Sequence, residues 1–142
     1  MAYFSQQNKK ELAPAVMGVL KKYGVKATLG VHHNSSFVVN IKSSKHDFLG
    51  VFQACLNEKR QREGYLDQYN IGTYVQVNEY HVADQMRSQG REDLACFFEE
   101  LISAMKGDKW FNNSDTQSDY FHIAYYLDIN IGQWNKPYKL IK

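Results

Sequence analysis

Cysteine and proline are scarce in these 142 residues, with two of each. Cys55 and Cys96 form no CxxC or Cys/His spacing, which excludes a disulfide scaffold and a thiolate metal site and fits free thiols in a reducing compartment. No run approaches the ~18 apolar residues of a membrane span. Residues 1–10 lack the apolar segment of a secretory signal, so the chain is expected inside the cell that makes it. No repeat, low-complexity tract or linker divides it, and no catalytic or metal motif stands out. With 44% hydrophobic and 23% charged residues, it fits one domain that can bury its own core.

The dominant pattern lies at residues 121–131. Phe121, Ile123, Tyr125, Leu127, Ile129 and Ile131 alternate with His122, Ala124, Tyr126, Asp128 and Asn130, the period-2 signature of a long strand. Earlier, Val25, Ala27, Leu29 and Val31, then Phe37, Val39 and Ile41, predict a hairpin turning at residues 33–36. Residues 74–78 predict a third strand. His32 and His33 would point to opposite faces of a strand, which argues against joint metal binding.

Helical spacing predicts α-helices over residues 5–23, 45–62 and 91–106. In the first, Leu12, Val16, Val19, Leu20 and Tyr23 share a stripe; Ser5 suits the N-cap, and Pro14 implies a kink or a later start. The second is expected to be capped by Ser44 and Asp47 and to bury Cys55 beside Phe48 and Phe52. The third carries Leu94, Phe97, Phe98, Leu101, Ile102 and Met105 on one face and Glu92, Asp93, Glu99 and Glu100 on the other. Cys96 lies roughly 160° from that apolar stripe at ~100° per residue. A short helical piece precedes it, near Glu79 and His81, an acid and a base with no nucleophile attached.

These elements run α-β-β-α-β-α-β. They describe an α+β single domain: a mixed or antiparallel sheet of about four strands, about three helices packed on one face, and residues 134–142 as a tail. Charge is uneven along the chain: +7 over residues 1–62, −8 over residues 63–128 and +3 over the last fourteen. Two surfaces follow. The acidic helix face, Glu92, Glu99 and Glu100, with Trp134 and Tyr138 of the tail, would dock a basic protein partner. The outer sheet face, with Lys26, Lys42, Tyr74 and Tyr126, has the cations and stacking rings of a single-stranded nucleic-acid platform, though no RNP-like motif. A third reading places a small-ligand or catalytic site around Asp119 and His122, with Asp115 and Asp128 nearby. No cofactor, metal, catalytic residue or membrane partner is expected.

Both ends of the chain carry a resemblance. The opening Ala2, Tyr3, Phe4, Ser5, Gln6, residues 13–16 and 20–26, and then Asn113, Ser114, Asp115, Ser118, Asp119, Tyr120, Phe121, Tyr125, Tyr126 and residues 131–138 resemble a family of small proteins encoded by tailed phages and other mobile elements. More loosely, they are similar to a domain associated with large polyvalent proteins of such elements. The resemblance implies a bacterial cytoplasm and an accessory protein that acts by binding a host protein or complex. Inhibition of a host-defence complex, as by anti-CRISPR and anti-restriction proteins, is the leading expectation; a nucleic-acid-binding module is the alternative.

Overall fold

The computed structural model describes residues 3–65, 71–107, 110, 124–133 and 135–141. Helix α1 (Gln6–Lys22) starts where Ser5 closes a capping box: Asn8 N–H donates to Ser5 Oγ (3.1 Å), and Ser5 N–H donates to Asn8 Oδ1 (3.0 Å). The side-chain acceptors satisfy N–H groups that a first turn leaves unpaired. Val16 and Leu20 are buried from this helix. Pro14 sits well inside it on the exposed side, so the helix neither starts late nor ends there.

Strands β1 (Lys26–His32) and β2 (Ser36–Ser44) form the expected antiparallel hairpin. Three residues, 33–35, join them, and His33 and Asn34 both take positive φ, 53° and 52°, while the Ser35 N–H donates to the His32 carbonyl at 3.1 Å. Helix α2 (Phe48–Arg62) is capped by Asp47 alone, whose carboxylate accepts from Gly50 N–H at 3.0 Å. Ser44 is no cap: it ends β2, buried, with its hydroxyl bonded to the Tyr138 hydroxyl. Cys55 is only half-buried, contrary to expectation, because Phe48, Val51 and Phe52 make the buried stripe of α2.

β3 (Val75–Val77), α3 (Val82–Ser88) and α4 (Glu92–Lys106) follow, then β4 (Tyr126–Ile131) and β5 (Lys139–Leu140). The strand expected over 121–131 thus begins at Tyr126. Residues 121–123 lie outside the described ones, and Tyr125 is buried just before β4, its hydroxyl donating to the Met105 (2.5 Å) and Lys106 (2.8 Å) carbonyls at the end of α4.

The sheet order is β1-β2-β4-β3, and it is mixed: β2 and β4 run parallel, the other two pairs antiparallel. β5 joins β2 in parallel beyond the end of β4, with Ser43 opposite Lys139. Residues 135–141, expected in a tail, are therefore tied to the sheet. Tyr138 is 8% exposed, packs 5.8 Å from the Phe48 ring, and donates to the His46 carbonyl at 2.6 Å.

Phe37, Val39, Ile41, Val77, Ile129 and Ile131 supply the inner sheet face, and all four helices bury residues in the same core. At its centre Phe48, Phe97 and Phe98 have ring centroids 5.0–5.6 Å apart, tilted and edge-on as aromatic quadrupoles prefer. Among the described residues no helix is long and apolar enough to cross a membrane.

Candidate functional site

Because the helices share the inner face, the outer face of the sheet stays accessible among the described residues. Lys26, Thr28 and His32 of β1, Lys42 of β2, Gln76 of β3 and Tyr126 of β4 are exposed there, as is Tyr74 just before β3. The ladder aligns Thr28, Asn40, Asn130 and Gln76 in one polar row. Asn130 Nδ2 donates to Asn40 Oδ1 (3.0 Å) and to Asp128 Oδ1 (3.1 Å), which fixes the middle of that row.

One end of this face is basic. The pairing of β1 with β2 slips after Ala27↔Ile41, so Lys26 meets Ser43 and Lys42 is left as the extra residue of a bulge; bulges re-aim side chains at sheet rims. Ser43 in turn meets Lys139 of β5. Lys26, Ser43 and Lys139 hence form a row across three strands, with Lys42 beside it. Lys42, Lys136 and Lys139 line a recess of about 440 Å³ that no carboxylate side chain lines. None of these four lysines is ion-paired among the described residues.

Of the residues expected on this surface, Lys26, Lys42 and Tyr74 lie toward the same end of the sheet, with Lys26 on its β1 edge and Tyr74 on its β3 edge, three strand spacings or ~14 Å apart. Tyr74 walls a neighbouring recess with Asn130, Gly132, Gln133 and Asn135. Tyr126 is exposed too (49%), but it pairs with Ser36, six residues from Lys42 along β2, or ~20 Å at ~3.3 Å per residue. Lys136 and Lys139 were missed. The +3 charge of the last fourteen residues was their only signal, and a two-residue strand carries no periodicity that would bring them to the sheet.

The acidic face of α4 is exposed as expected, yet its carboxylates are already engaged. Arg87 of α3 bonds both Glu92 (2.8 Å) and Glu99 (2.5 Å), Arg91 bonds Asp93 (3.1 Å), and Glu100 takes Lys22 of α1 (2.7 Å) together with the hydroxyl of Tyr23, which caps that helix. These bonds hold the Glu92, Asp93 and Glu100 carboxyls below their usual range, and the bond to Glu100 pushes the Tyr23 phenol up to about 12. The charge split along the sequence is thus partly cancelled in space, since Lys22 of the basic segment meets Glu100 of the acidic one. Tyr138 is buried and presents no docking surface, and Trp134 lies outside the described residues.

Partial burial and the Glu92 carboxylate raise the Cys96 thiol pKa, which disfavours the thiolate. Burial also raises the Glu79 carboxyl pKa, against the pull of Lys106; His81 is exposed at the start of α3. Asp115, Asp119 and His122 lie outside the described residues. His33 belongs to the turn and not to a strand, so its ring rests against that of His32 with centroids 3.9 Å apart, and the opposite-face expectation for the pair fails. Among the described residues no three or more His, Cys, Asp or Glu side chains are grouped to hold a metal. No protein-family model, curated protein or solved structure matches this chain.

Proposed function

We infer that this chain is a binding module for single-stranded nucleic acid, held on the open sheet face. The observation that carries the reading is the convergence of Lys26, Lys42, Lys136 and Lys139, without ion-pair partners among the described residues, at one end of a polar face that exposes Tyr74 and Tyr126. Phosphates along a strand are matched by such unpaired ammonium groups, which release counterions on binding. Exposed rings stack on bases of any sequence. By contrast, each acid of the α4 face has a cation in place, and a basic protein partner would have to displace it. The resemblance of the chain ends to phage and mobile-element proteins supplies the setting for such binding, a bacterial host cell.

Fluorescence anisotropy with labelled single-stranded DNA and RNA tests this. Four phosphate contacts predict affinity falling about 50-fold between roughly 50 and 200 mM salt. Lys26→Glu with Lys42→Glu should weaken binding at least ~10-fold at low salt and flatten that salt slope. Absence of any anisotropy change with the unmodified protein at low salt would overturn the reading.

A further inference from the structure

Gly132 and Gln133 follow β4, residues 135–137 precede Tyr138 and β5, and the two recesses at the basic end share Gly132 and Gln133 as a common wall. On one side lie Lys42, Lys136 and Lys139 with Asn40 and Ser43, in about 440 Å³. On the other, in about 390 Å³, lie Tyr74, Asn130 and Asn135. Both volumes fall in the range of small-ligand sites.

We propose that the two recesses hold the two halves of one nucleotide, its phosphate among the three lysines and its base against the Tyr74 ring. This rests on the nucleic-acid reading and gives it a register: one anchored nucleotide, from which the strand runs along the face toward Tyr126.

Three ammonium groups lining one recess repel one another unless an anion sits among them, and the recess supplies no carboxylate. Asn40 spends its Oδ1 on Asn130, which leaves its N–H groups as donors, and Ser43 adds a hydroxyl; both are neutral donors suited to phosphate oxygens. Across the shared wall, Tyr74 is 48% exposed, enough ring for a base to stack. Asn135 offers an amide to the edge of that base, and Asn130, whose N–H groups are spent on Asn40 and Asp128, offers its Oδ1 as an acceptor. The boundary between the halves is one residue pair wide, Gly132 and Gln133, so a single ligand can touch both recesses. A lipid headgroup would use the lysines and leave the aromatic and amide wall idle.

The experiment is an amide chemical-shift titration with four probes: inorganic phosphate, a nucleoside, the corresponding nucleoside monophosphate and an oligothymidine octamer. The monophosphate should shift amides of both recesses and bind ~10-fold more tightly than either half alone. Tyr74→Ala should erase the gain over inorganic phosphate, Lys136→Gln with Lys139→Gln should weaken the monophosphate and phosphate alike, and Tyr126→Ala should change neither. Thermal melts of the variants check that each is folded.

Equal affinity for phosphate and monophosphate, with no effect of Tyr74→Ala, would overturn the two-part seat. Octamer binding without any response of either recess to the monophosphate would overturn the seat and leave strand binding standing. The expected monophosphate behaviour without octamer binding would uphold the seat for a free nucleotide and remove the strand.

Discussion

Gly132 sits where three segments touch. Its N–H donates to the Ile41 carbonyl at 2.9 Å, and a Cβ there would come within 2.7 Å of the Tyr138 nitrogen and 2.9 Å of the Thr73 carbonyl oxygen. Both neighbours are backbone and cannot step aside as a flexible side chain could. With φ at 72° the backbone is strained for any L side chain as well. Gly132→Ala is therefore expected to cost about 2 kcal/mol or more in denaturant unfolding, and unchanged stability would contradict this packing. Gly50 is the contrasting case, since the nearest atoms to a Cβ there belong to the Asp47 carboxylate, which can swing away at the expense of the α2 cap. In the sequence, Gly132 reads as no more than the stop of a strand. Its crowding comes from Tyr138 and Thr73, which only the fold brings near.

Helices show which features periodicity can carry. α1, α2 and α4 were legible because apolar residues recur at i, i+3 and i+4 over fifteen residues or more, and the β1–β2 hairpin because two alternating runs flank a polar turn. Pairing partners were not legible: parallel β2 and β4 are separated by α2, β3, α3 and α4 in the chain, and alternation states which face of a strand is buried but not what lies beside it. The cap of α2 was misplaced by three residues because Ser44 and Asp47 both suit the role, and Ser44 is taken by Tyr138. α1 yields a test at this scale. Pro14 removes one N–H from the middle of the helix, and interior proline is unfavourable relative to alanine by ~3 kcal/mol, against ~1 kcal/mol that it gains by restricting the unfolded chain. Pro14→Ala should accordingly raise stability by roughly 2 kcal/mol in urea unfolding; a loss would mean that the proline ring is itself a needed contact.

Charge is the property that changes most between chain and molecule. Acids clustered between residues 63 and 128 are distributed by the fold onto cations of α1 and α3, whereas lysines from the two ends of the chain collect on the sheet with no such partners. The α1–α4 contact should show this in pH dependence. Glu100 titrates below its ordinary 4.5 in the folded protein, so its contribution is present above 4.5 and is lost as pH falls through the lowered value. Tyr23 titrates upward from 10.0 to about 12, so its contribution is present below 10 and is lost as pH rises toward 12. Glu100→Gln should flatten both edges of a melting-temperature profile across pH. A variant with the same acid and alkaline edges as the parent would show that the contact contributes nothing to them.

β2 has two different neighbours on one side, β4 as far as Ile41 and β5 from Ser43 onward, with Lys42 at the seam. A ladder broken and resumed along a single edge divides that edge into two pieces that can part separately, the shorter one as a flap. The second piece is held by two residue pairs, the Ile141 N–H to Ser44 carbonyl bond at 2.8 Å, and Tyr138, whose N–H donates to the Thr73 carbonyl at 3.2 Å and whose hydroxyl donates to the His46 carbonyl; lifting it would break these bonds and expose the Tyr138 ring while the other ladders stay paired. Lifting it would carry Lys136 and Lys139 away from Lys42 and dismantle the basic recess. An anion bound there would thus latch the C-terminal strand, and the strength of its binding would be set partly by the free energy of closing that flap.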